Sequence, residues 1–112
     1  MAGWYEISKS SKGEFYFVLK ASNGEVILTS EQYKARASAD NGIASVRTNS
    51  PDAGRYEKKE ASNGKSFFNL KAGNHQVIGT SQMYATVAAR DNGIKSVMSN
   101  GGSTKVKDNT QS

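Results

Sequence analysis

The stretch GEFYFVLKASNGEVI, Gly13 to Ile27, decides how the chain is read, because GKSFFNLKAGNHQVI follows it fifty-one positions later at Gly64 to Ile78. At that offset Tyr5 to Asn49 aligns with Tyr56 to Asn100 without a gap. The matches include YE at 5 and 56, LKA at 19 and 70, VI at 26 and 77, TS at 29 and 80, Tyr33 with Tyr84, DNGI at 40 and 91, and SV at 45 and 96. Two copies are too few for a solenoid, which needs about three stacked units. The duplication points instead to two half-domains related by a pseudo-twofold axis, about 4–50 and 55–100. Between them TNSPDAGR is made of turn formers.

Within each copy the aromatic and β-branched runs, bounded by Gly and Asn, read as three strands. They fall near 4–10, 14–21 and 25–29 in the first copy and near 55–61, 65–72 and 76–80 in the second. SKG at 11–13 and SNG at 62–64 suit three-residue hairpin loops ending in a left-handed glycine. Such a loop sets Ser10 opposite Glu14, Ile7 opposite Phe17 and Tyr5 opposite Leu19. Alternation then gathers Tyr5, Ile7, Phe17 and Leu19 on one core face, with Tyr56, Phe68 and Leu70 in the second copy and Lys58 in place of Ile7. The other face carries Glu6, Tyr16, Val18 and Lys20, matched by Glu57, Phe67, Asn69 and Lys71, with Val26 and Leu28 also expected off the core. The second hairpin admits two or three loop residues. His75, standing where the first copy has Gly24, reads as a left-handed turn residue rather than a ligand.

Helical spacing follows the third strand, and the pattern predicts helices over 35–48 and 86–99. Their small stripe is Ala39, Gly42, Ile43 and Val46, repeated as Gly93, Ile94 and Val97. A glycine inside a helix costs about 1 kcal/mol relative to alanine. Keeping one in both copies predicts that the helix backbone lies close against the sheet or the other helix. Asp40, Asn41, Asp91 and Asn92 flank the stripe, either exposed or presented at a groove near the axis. Asn49 and Asn100 fall where a left-handed residue usually ends a helix, and GGSTKVKDNTQS at 101–112, with one apolar residue, reads as a flexible tail. Residues 1–100 then form a single domain.

The 112 residues suffice for a modest core, burying about 65% of the unfolded surface. Absence of cysteine excludes disulfides, thiolate catalysis and cysteine-bound zinc. No apolar run is long enough for a membrane span, and MAGWYEISKS has no apolar core of a secretory signal, which implies a cytoplasmic protein. The net charge of +5 permits attraction to phosphate, but the fifteen Lys and Arg are scattered along the chain. No phosphate-binding loop, H-E-x-x-H or G-x-S-x-G is present.

The hairpin GEFYFVLKASNGEVI, then TSEQY, then ASADNGIASV together resemble the YegP-like family of bacterial domains of unknown function. The resemblance runs from Tyr5 to Asn100; GNHQVIG for SNGEVIL, and Arg90 where the first copy has Ala39, are its departures. It implies an α+β fold of two interlocked βββα units, an antiparallel sheet packed against two helices. It implies no reaction, cofactor or partner.

The residues favour a binding or interaction module. Tyr16, Phe67, Tyr33, Tyr84, Asp40, Asn41, Asp91 and Asn92 are the candidate ligand or partner surface, and Gly42, Gly93, Ile43 and Ile94 the structural set. A protein partner is expected on the outer sheet face or a free strand edge, the asymmetry of Val18 and Leu28 against Asn69 and Gly79 being one motive. The alternative is single-stranded nucleic acid held by basic charge and by Tyr16 and Phe67. Catalysis would fall to Asp40 and Asp91 with Tyr33 and Tyr84, brought together by the axis. No cofactor, metal or membrane is expected. A monomer is, since the second copy supplies the partner a lone unit would need.

Overall fold

A computed structural model of the chain describes residues 3–110. Seven strands and two helices follow in order: β1 (Trp4–Lys9), β2 (Phe15–Lys20), β3 (Val26–Thr29), α1 (Arg36–Asn49), β4 (Tyr56–Glu60), β5 (Ser66–Lys71), β6 (Val77–Thr80), α2 (Val87–Asn100) and β7 (Val106–Asp108). A short 3-10 turn, Ala53–Arg55, leads into β4. The strands form one sheet in the order β4-β5-β6-β3-β2-β1-β7. Its two halves meet where Thr29 pairs with Thr80, residues that also correspond in the duplication, so the pseudo-twofold axis passes between them.

The hairpins take the register set by their loops. Tyr5 pairs with Leu19 and Ile7 with Phe17, while Tyr56 pairs with Leu70 and Lys58 with Phe68. Gly13 and Gly64 have φ of 80° and 82°. The second hairpins close over three residues, with Ala21 N–H donating to the Glu25 carbonyl and Ala72 N–H to that of Gln76. His75 has φ 69°, the only positive value at a described non-glycine residue. Tyr5, Ile7, Phe17, Leu19, Phe68 and Leu70 are fully buried beneath the helices.

The repeated glycines explain how the helices sit. A Cβ on Gly42 would lie 2.7 Å from the Tyr33 hydroxyl and 2.9 Å from Phe17 Cε2; on Gly93 it would collide with the Tyr84 phenol. The neighbour is therefore the tyrosine that follows the third strand. Tyr33 lies stacked on Phe17 with centroids 6.4 Å apart, Tyr84 on Phe68 at 6.5 Å. Each of these tyrosines exchanges two backbone hydrogen bonds with the start of β2 or β5. Over this aromatic layer each helix contacts strands of both copies: α1 lies on β2, β5 and β6, and α2 on β5, β2 and β3. The ends interlock as well, because the Tyr5 hydroxyl donates to the Gly101 carbonyl (2.6 Å) and the Tyr56 hydroxyl to that of Ser50 (2.7 Å).

Four expectations are corrected. Leu28 is buried, not on the outer face, because the β2–β3 register shifts between Leu19 and Lys20 and turns both Ile27 and Leu28 inward. Its copy is Gly79, where a Cβ would come 2.7 Å from Leu28 Cδ2. The Leu28/Gly79 asymmetry is thus internal packing, one side chain filling a space on the axis that cannot hold two. Asn49 and Asn100 are helical rather than left-handed, each folding its amide back onto the carbonyl four residues earlier. Finally, 101–110 do not form a free tail, and the sheet is mixed rather than wholly antiparallel. Ser103 Oγ donates to the Gly3 carbonyl (2.6 Å), Arg47 Nε donates to the Ser103 carbonyl (2.7 Å), and β7 runs parallel to β1 with Tyr5 opposite Val106 and Ile7 opposite Asp108.

In an exposed helix, replacing glycine by alanine stabilises by about 1 kcal/mol. At position 42 the added methyl must displace a stacked ring, and overpacking of this kind costs about 1–3 kcal/mol. Gly42→Ala is expected to lower the stability measured by urea unfolding by that amount, and a gain would contradict the packing described.

Candidate functional site

Tyr5 and Tyr56 are the same residue at the same place in the two copies, yet Tyr5 is fully buried and Tyr56 only partly so. The difference is the cover. Over Tyr5 lie the Arg47 guanidinium, 5.4 Å from the ring centroid, and the parallel strand β7. Beside Tyr56 there is instead an open cavity of about 350 Å³ lined by Ala53, Tyr56, Lys58, Asp91, Ile94, Lys95 and Met98. Four of these correspond to Tyr5, Asp40, Ile43 and Arg47, the residues beside or under the C-terminal strand. The cavity is the vacant twin of a filled groove.

Elementary sheet geometry exposes hydrogen-bonding groups there. Strand residues alternate in the direction of their N–H and C=O. Glu57, Lys59 and Ala61 point theirs at β5, so Tyr56 and Lys58 point theirs off the edge. Tyr56 N–H is taken by the Ala53 carbonyl, which leaves Lys58 with both groups outward. Lys58, Lys59 and Glu60 are exposed, charges that blunt an edge against indiscriminate pairing. One turn of α2 borders the groove with Asp91, which accepts from Lys58 Nζ (3.5 Å) and Arg90 (3.2 Å). Although desolvation pushes its carboxyl upward, the Arg90 and Lys58 contacts prevail and hold it below the usual carboxylate range. It is an ionised partner in a charge cluster, not a poised acid.

The remaining expected site residues scatter. Asp40 pairs with Arg36 (3.2 Å), which also reaches Asp108 on β7, so Asp40 and Asp91 belong to opposite edges of the sheet. Tyr33 and Tyr84 are structural, each wedged between its own aromatic neighbour and its own helix glycine; burial, then the charge of Glu31, raises the Tyr33 pKa. The constellation of Asp40, Asp91, Tyr33 and Tyr84 is not assembled. Asn41 and Asn92 are exposed, and Ile43 and Ile94 are buried in the core. Tyr16 and Phe67 stand half-buried on the outer sheet face, on strands three spacings apart, about 14 Å. Among the described residues no group of three or more His, Asp and Glu could hold a metal ion, and no helix is long and apolar enough to cross a membrane. Sequence reasoning missed Met98, Lys95 and Val87 as a groove; the available signal was their departure from Arg47, Ala44 and Arg36 in the other copy.

A family model described as "Domain of unknown function (DUF1508)" matches the chain twice, over 10–57 and 61–108. The chain belongs to this family. The UPF0339 protein YegP of Escherichia coli K12 is 67% identical over 98% of this chain and 100% of its own length, and the YegP of Yersinia pestis 56% over 96% of each. The solution structure of Escherichia coli YegP, described as a protein of unknown function, superposes with a TM-score of 0.95, covering 100% of this chain and 97% of that one at 67% identity. These names carry no activity, ligand or partner. The two DUF1508 matches, again fifty-one residues apart, cover β2-β3-α1 with the start of β4, then β5-β6-α2-β7. The strand that closes the second DUF1508 unit, β7, thus corresponds to the start of β4. It cannot take β4's place beside the hairpin because β1 already holds that place, so it adds outside β1.

Asp108 clips this displaced strand. Its carboxylate accepts from the Thr110 hydroxyl and backbone and from Arg36 (2.9 Å), which together pull its pKa down to about 2. A depressed pKa contributes stability in full above the ordinary value near 4 and loses it as pH falls toward the folded value. Amide exchange in Val106–Asp108 is therefore expected to quicken relative to β2 between about pH 4 and pH 2. Asp108→Asn should produce the same loosening at neutral pH.

Proposed function

We propose that this chain is a non-enzymatic interaction module, monomeric, whose protein partner docks in the groove between β4 and α2. What supports it is the contrast between Tyr5 and Tyr56: the groove on Tyr5 is closed by a strand of the chain itself, whereas among the described residues no strand lies along the one beside Tyr56. An open strand edge offers backbone hydrogen bonds, and an adjoining apolar cavity selects side chains, the two ingredients of strand addition. The outer sheet face supports the nucleic-acid alternative less well. Its rings Tyr16 and Phe67 are too far apart to sandwich successive bases, and its Lys20 and Lys71 are paired with Glu6 and Glu57 (3.0 and 3.2 Å).

A photo-crosslinking residue placed at position 95, on the groove rim, and another at position 16, on the outer face, separate the two in living bacteria. The reading expects discrete polypeptide adducts from position 95, insensitive to nuclease. Adducts formed only from position 16, or removed by nuclease, would contradict it.

A further inference from the structure

The filled groove on β1 shows how a strand seats in this fold, and the differences between the copies show what the vacant one would accept. Tyr5 N–H donates to the Lys105 carbonyl (3.0 Å) and Asn109 N–H to the Ile7 carbonyl (2.8 Å), so the segment runs parallel to β1 and uses its outward groups. Its side chains alternate. Lys105 turns to the outer face, its Nζ 5.6 Å from the Trp4 ring centroid, whereas Val106 and Asp108 turn toward α1, where Asp108 meets Arg36. Two helix-side positions, two residues apart, therefore carry the recognition.

In the second copy the environment of both positions has changed. Beside Tyr56 the first would meet Ala53, Ile94 and Met98, an apolar hollow where Arg47 stands in the other groove. The second would meet Val87 in place of Arg36. Val87 is 55% exposed, and it lies one turn before Asp91 on the α2 face that borders β4. Lys58 stands where Ile7 lies opposite Asp108, but its ammonium and the Arg90 guanidinium are both already engaged by Asp91, so an acid at that second position would compete with Asp91 for them instead of meeting an arginine of the Arg36 kind. Resting on the reading of this groove as a partner site, we infer that its ligand is an extended polypeptide segment, parallel to β4 and bonded through the outward N–H and C=O of Lys58, since Ala53 already holds the Tyr56 N–H, with apolar residues at both helix-side positions, i and i+2.

Two synthetic peptides test this against the full-length chain by amide chemical-shift titration: GSTKVKDN, the chain's own 102–109, and GSTKLKVN, with both positions apolar. GSTKLKVN is expected to shift the amides of Tyr56–Glu60 and Val87–Met98 and to bind about tenfold more tightly than GSTKVKDN. Lys58→Pro removes the outward donor at an edge position that tolerates proline and should abolish binding. Val87→Arg should move the preference toward GSTKVKDN by about two- to fivefold, the size of an exposed ion pair. Equal affinity of the two peptides at β4, or a preference unmoved by Val87→Arg, overturns the inference while leaving the groove as a partner site. No shift at β4 from either peptide overturns it outright; adducts from position 95 would still show a partner there.

Discussion

The last turn of a helix leaves carbonyls without partners, and here they are capped from the opposite copy. Tyr5 of the first copy donates to Gly101 beyond α2, and Tyr56 of the second donates to Ser50 beyond α1. Each helix is thus roofed over strands of both copies and tied at its end by the other copy's sheet. The glycines make that placement possible: with a side chain at Gly42 or Gly93, the helix could not descend onto Tyr33 or Tyr84, and the aromatic layer beneath would lose its stacked outer ring. One geometric constraint, close approach of helix and tyrosine, therefore accounts for the repeated DNGI and for the tyrosine retained after TS.

Because the halves are copies, their differences are informative. Leu28 against Gly79 is settled by space, since two leucines would compete for one volume on the axis. Arg36 against Val87 and Arg47 against Met98 are settled by what lies outside the helices. On the first side Arg36 holds β7 and Arg47 the segment leading into it; on the second, Met98 joins Ala53, Tyr56 and Ile94 in an open groove that Lys58, Asp91 and Lys95 also line. The sheet has β7 added outside β1 at one side and β4 at its other edge. The groove beside β4 is where the proposed partner would dock.

What was legible in the sequence was what local rules determine. The glycine-ended loops fixed the pairing of Tyr5 with Leu19 and of Tyr56 with Leu70, period-two alternation named the buried face, and His75 was recognised as a left-handed residue by standing in Gly24's place. Features decided by long-range contact stayed hidden. Leu28 turned inward through a register shift that alternation does not anticipate, and Val106–Asp108 gained its strand only because β1 occupied the place that the sequence repeat assigns to it. Asp40 and Asp91 correspond in sequence, but the twofold axis sends them to opposite edges instead of bringing them together. The groove left its trace as substitutions between copies, which read as unremarkable surface variation until the occupied twin was seen.

The central claim is that the copies stabilise one another as a single unit. Native-state hydrogen exchange on Gly93→Ala tests it most directly, since the change lies entirely in the second copy while the core amides of β1 and β2 report on the first. The account predicts that protection falls by the same free energy in Tyr5–Ile7 and Phe17–Leu19 as in Phe68–Leu70. A loss confined to the second copy, with the first copy's amides unchanged, would contradict it.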